Sequence, residues 1–152
     1  MAVEQNPYNI KATFVATDGL CWNPSDASTN YQFRFVKITT DVATQTPVVD
    51  AIGNTHWTKP IGILQNQPKH YASGNAEAEV TIAGICKVIV GDPDGLEPGM
   101  RVGAGEYGYA VEASSDDPDA AWAVGTALTA GAPGDVIEVL VNCTVPFKSR
   151  KA

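Results

Sequence analysis

The turn Asp92-Pro-Asp-Gly at 92–95 is the stretch whose spacing comes nearest to chemistry. Carboxylates at the first and third positions open one kind of calcium loop, because a hard cation takes oxygen ligands. Such a loop closes with a bidentate Glu at its twelfth position; counted from Asp92, that position is Gly103. The motif therefore reads as a plain turn, in which Asp, Pro and Gly are favoured on their own merits. SDDPD at 115–119 gathers Asp116, Asp117 and Asp119 without a second ligand cluster, and reads as an exposed acidic loop. His56 and His70 are the only histidines. A pair of His70 with Ser73 can be drawn, but a nucleophile and its base are defined by geometry and not by nearness in sequence. GAGEYGY at 103–109 is glycine-rich. It opens no helix, so it lacks the N-terminus that holds anions, and it reads as a turn or bulge in a sheet. No GxSxG, HExxH, P-loop or GxGxxG occurs. The expectation is a protein that is not an enzyme and carries no metal or cofactor.

The elements around these residues are strands. From Glu77 the chain alternates cleanly, with Ala78, Val80, Ile82, Gly84, Cys86, Val88 and Val90 on one face. A period of two over that length predicts a strand with one buried face. Ile85 and Ile89 make the second face apolar toward the end, which predicts an end covered on both sides. Gly84 in mid-strand predicts a bulge or bend. VIEVLVNCTV at 136–145 is the second strong strand, with Ile137, Val139, Val141, Cys143 and Val145 on one face. Shorter strands are expected at 11–16, 32–39, 46–52, 61–64 and 121–128, and one or two more within 101–113. Residues 17–30 read as a loop. No segment repeats at 3.6 residues over three turns. The whole is an all-β domain of sandwich or barrel type.

Composition narrows the function. The 152 residues suit one domain, and 10 Lys+Arg against 17 Asp+Glu leave a formal charge of -7. That balance opposes nucleic-acid binding, which needs a basic face. Between Val88 and Phe147 Arg101 is the single base against ten acids, whereas Lys148, Arg150 and Lys151 crowd the last five residues. The expected division is an extended arm at 1–10, a β domain at 11–147 and a basic tail at 148–152, the tail serving solubility or docking on an acidic partner. Cys21, Cys86 and Cys143 are odd in number and widely spaced, and read as reduced thiols of a cytosol. No apolar h-region opens the chain and no apolar run matches a membrane span. Trp122 reads as core. Trp22 and Trp57 lie in or beside loops, where they cap sheet ends or anchor a partner. Trp57 with Tyr71 could also stack on a sugar, which keeps a glycan-binding module as the alternative.

The order of elements resembles the capsid decoration, or cement, proteins of tailed phages. IGIL at 61–64 is followed by EAEVTIAGICKVIVG, then LEPGMRVGAGEYGYAV, then VGTALTAGAPGDVIEVLVN. The likeness runs over about 32–145. Its most specific part is the last, where Gly125, Ala127, Leu128, Ala130, Gly134, Asp135, Ile137, Val139 and Leu140 fall in place. The resemblance implies a compact β-barrel or tulip-like sandwich with an extended N-terminal arm. It also implies a protein made in the host cytoplasm that binds the outer surface of the virion capsid. There it would act as a homotrimer, bridging major capsid protein subunits, without nucleic acid or membrane. Val3, Pro7 and Tyr8 of the arm, with Trp57, are the expected capsid contacts.

Overall fold

The computed structural model describes residues 9–54, 58–69, 76–113, 122–144 and 147–148. Among them the chain forms ten strands and three short 3-10 turns. The strands are β1 (Ile10–Val15), β2 (Phe35–Thr40), β3 (Pro47–Ala51), β4 (Gly62–Leu64) and β5 (Glu77–Ile89). They continue with β6 (Arg101–Ala104), β7 (Ala110–Glu112), β8 (Trp122–Ala127), β9 (Val136–Asn142) and β10 (Phe147–Lys148). They join in one antiparallel sheet of order β3-β2-β4-β5-β9-β8-β6-β7, with β1 added to β5 and β10 to β8.

The sheet curls in two directions about β5. Past the end of β1, Ala16 bridges Val49 of β3 in parallel; past the end of β5, Val90 bridges Ala110 of β7 in parallel. Each curl wraps its own core. One holds Leu20, Val36, Val49, Leu64, Ala78 and Val80; the other holds Phe35, Ile63, Cys86, Val88, Val102 and Val139, among others. Successive strand residues face opposite ways. Hence Phe35 and Val36 of β2 enter different cores, as do Ile63 and Leu64 of β4. Both strands are buried on both faces where they pair with each other. β5 serves the two cores in succession, Ala78 and Val80 for the first, Cys86 and Val88 for the second. Each fully buried aliphatic side chain contributes about 1.5–3 kcal/mol of transfer free energy. The all-β barrel-like architecture expected from the sequence is what the chain adopts.

Local chemistry sets the boundaries. β2 starts at Phe35 and not at Gln32, because Phe33 stands at φ 63 and Arg34 N–H turns back to the Tyr31 carbonyl at 3.2 Å. β9 ends at Asn142, whose side-chain oxygen accepts from Thr144 N–H at 3.1 Å and opens a turn. The 17–30 loop is anchored by the fully buried Leu20. The glycine-rich 101–113 segment is two strands joined by a turn at Glu106–Gly108. That turn packs on the start of β2, where a Cβ on Gly108 would meet the Phe35 carbonyl. Gly84 stands at φ 116, a left-handed conformation that favours glycine. The break in regular pairing lies beside it: Ile10 pairs with Ala83 and Lys11 with Thr81, leaving Ile82 out of register.

Candidate interaction surface

The Asp92-Pro-Asp-Gly motif takes a structure-forming role. Asp92 Oδ1 accepts from Asp94 N–H at 3.0 Å and Oδ2 from Glu112 N–H at 2.8 Å. Both carboxylate oxygens thus hold the turn to β7. Asp135 Oδ2 likewise accepts from Ala132 N–H at 2.9 Å. The cysteines are free thiols. Burial pushes Cys86 and Cys143 up to about 12, the neighbouring Cys143 adding to the effect on Cys86. Burial and then the Asp18 charge raise Cys21. These thiols stay protonated and poorly nucleophilic near neutral pH.

Trp122 is half-buried against the second core. Trp22 pairs with Lys69 in a parallel bridge, the ammonium 5.9 Å from the ring centroid. Arg34 lies between two aromatic rings, 5.0 Å from Tyr31 and 4.3 Å from Tyr109. Sequence reading did not single it out, because its partners are 3 and 75 positions away in opposite directions. Val3, Pro7, Tyr8, His56, Trp57, His70, Tyr71, Ser73, the acidic loop 114–119 and tail residues 149–152 lie outside the described residues.

The feature that points outward is the convex side of β5, β9 and β8. Alternation sends Ile137, Val139 and Val141 inward and leaves Val136, Glu138 and Leu140 on the outside. Val136 and Leu140 are each 48% exposed. Across the sheet Ile89 pairs with Val136, Lys87 with Glu138 and Ile85 with Leu140; Leu140 in turn pairs with Thr126. Ile85 and Ile89 are half-buried rather than covered on this side. Ile10 and Leu128 add to the exposed apolar area. The signal was legible in VIEVLVN, where Glu138 alone interrupts an apolar outer row.

A groove of about 610 Å³ lies along β5, β9, β8 and the start of β6, with Gly84, Arg101, Gly125, Thr126, Leu140 and Asn142 among its walls. Asn9 lies over Gly84 and is bonded to Ile85. Its side-chain oxygen accepts from Ile85 N–H at 3.0 Å and its amide donates to the Ile85 carbonyl at 3.1 Å. The chain entering β1 crosses β5 where Gly84 has no Cβ.

No protein-family model and no curated protein matches the sequence. Solved structures share the fold, two of which are phage head proteins. The head fiber gp8.5 N base of bacteriophage phi29 matches with a TM-score of 0.56 and 15% identity, over 89% of this chain and 95% of that one. A chain from the capsid of Myoviridae phage XM1 matches with a TM-score of 0.53 and 17% identity, over 88% of this chain and 83% of that one. The likeness to phage head proteins expected from the sequence is borne out at the level of the fold. Both neighbours are named for phage structures rather than for enzymes.

Proposed function

We propose that this protein is a structural component of a phage virion that binds the outer surface of the capsid and stabilises it. It does so as a homotrimer bridging major capsid protein subunits. The observation that carries this reading is a fold shared over nearly the whole chain with two phage head proteins. The open apolar side of β5, β9 and β8 supports it, since uncovered apolar area of that kind marks an interaction surface. The acidic body, net -7, supports it as well. It keeps the free protein soluble and repels packaged or stray DNA. A trimer engaging several capsid sites would gain through effective concentration, so each copy needs only modest affinity. Val3, Pro7, Tyr8 and Trp57 remain the proposed contacts, the arm supplying the first three. Synthesis in the host cytoplasm agrees with three free thiols.

The test is co-sedimentation of the purified protein with expanded capsids of its own phage that lack it, with its solution mass measured by light scattering. Saturable binding at a fixed ratio to the capsid protein is the expected result. Failure to bind across a range of salt would reject the reading.

A further inference from the structure

We infer that Arg34, held between Tyr31 and Tyr109, is a receptor for a carboxylate carried by a partner protein. Its guanidinium carbon lies 5.0 Å from the Tyr31 ring centroid and 4.3 Å from that of Tyr109. The rings attract the cation through their faces but neutralise none of its charge. In a chain of 17 acids and 10 Lys+Arg, an unpaired arginine is the exception to explain. Yet among the described residues the one ion pair joins Lys37 to Asp50, and no carboxylate stands within that reach of Arg34. Of the three guanidinium nitrogens Nε is sealed from solvent, and it has no acceptor. The edge formed by the two terminal nitrogens is therefore the part left to receive a partner. The backbone is bent to build this arrangement. Phe33, just before Arg34, and Tyr107, two residues before Tyr109, are left-handed at φ 63 and 54 without being glycine. Such strain persists where the surroundings enforce it, and it gathers at binding sites. Tyr109 reaches Arg34 because Gly108 lies against the Phe35 carbonyl and Gly91 leaves room for the Tyr109 Cβ.

Geometry selects the ligand. A carboxylate is planar and pairs with a guanidinium in its own plane through two parallel N–H···O bonds. It can enter edge-on between the rings. A phosphate would turn oxygens out of that plane toward the rings, and the acidic body disfavours polyphosphates. A sugar would stack on an aromatic face, and the faces flanking this slot are already taken by the cation.

That the carboxylate belongs to a capsid subunit rests on the capsid reading; the site itself does not, and its test needs no capsid. The isotope-labelled full chain is titrated with N-acetylglutamate N-methylamide. The Arg34 Nε–H signal and the backbone amide signals of Tyr31 and Tyr109 are followed by NMR. All three should shift saturably, and sodium chloride at the same ionic strength should leave them in place. Arg34→Lys keeps a cation beside the rings but lacks the planar fork, and should bind the probe about tenfold more weakly with the rest of the spectrum retained. No shift with the glutamate probe overturns the inference. So do equal shifts from chloride or inorganic phosphate, or an unchanged affinity in Arg34→Lys. Tighter binding of glucuronate than of the glutamate probe would overturn the protein source and give the site to an acidic sugar.

Discussion

Asn9 completes both main-chain hydrogen bonds of Ile85, at 3.0 and 3.1 Å, from a position directly over Gly84. A side chain thus does the work of a strand partner where β1 departs from β5. This pins the chain entrance to the middle of the sheet.

Loss of that clamp should be measurable. Asn9→Ala removes two partners from a half-buried peptide and should cost about 1.5 kcal/mol, seen as a Tm lower by about 3–6 °C. Gly84→Ala should cost more, about 3 kcal/mol, because it combines a left-handed φ with a Cβ set against Asn9. A Gly84→Ala protein as stable as the parent would mean that Asn9 does not cross there.

The register of β9 predicts opposite results for adjacent positions. Val139 is fully buried, and Leu140 is half-exposed. Val139→Asp places an unpaired charge in the second core and should cost about 3 kcal/mol or more. Leu140→Asp should change stability by about 0.5 kcal/mol or less. Denaturant unfolding of both variants decides the matter, and a larger loss for Leu140→Asp than for Val139→Asp would show the strand to be misregistered by one residue.

The thiols predict a base-side limit on stability. Burial raises Cys86 and Cys143 in the fold to about 12, above the ordinary thiol value of 9.0. A group raised in the folded state leaves its stabilisation intact below the unfolded pKa. It loses that stabilisation as pH climbs toward the folded value. Stability should therefore decline between about pH 9 and 12, and a Cys86→Ala/Cys143→Ala double variant should decline less. At pH 8, a thiol reagent should modify Cys21 first in the native protein and all three cysteines only in denaturant.

Deleting residues 2–8 leaves Asn9 and β1 in place. The expected Tm change is less than about 3 °C, since every strand among the described residues is retained, while binding to the capsid weakens severalfold. A large drop in Tm with unaltered capsid binding would reverse the roles assigned to arm and domain.

The strands themselves were legible because their cause is local. The alternation from Glu77 to Val90 and from Val136 to Val141 is a statement about which side chains share a face, and the buried residues follow it. Gly84 as an irregular point was legible for the same reason, since a glycine inside a regular strand has few other uses. Asp92 was legible as a turn former, though its bond to Glu112 N–H was not, because twenty residues separate them.

What the sequence determined alone is therefore the period, the turns and the excess of acidic charge. Alternation assigns faces but is silent on which strands pair, so it could not tell that Phe35 and Val36 serve two different cores. Nor could it tell that β5 is shared between two curls, each closed by a single parallel bridge. Those facts depend on contacts between distant segments, whose energies are set by packing and not by local propensity. The groove is of the same kind: Gly84, Gly125 and Leu140 acquire a common role only when β5, β8 and β9 lie side by side.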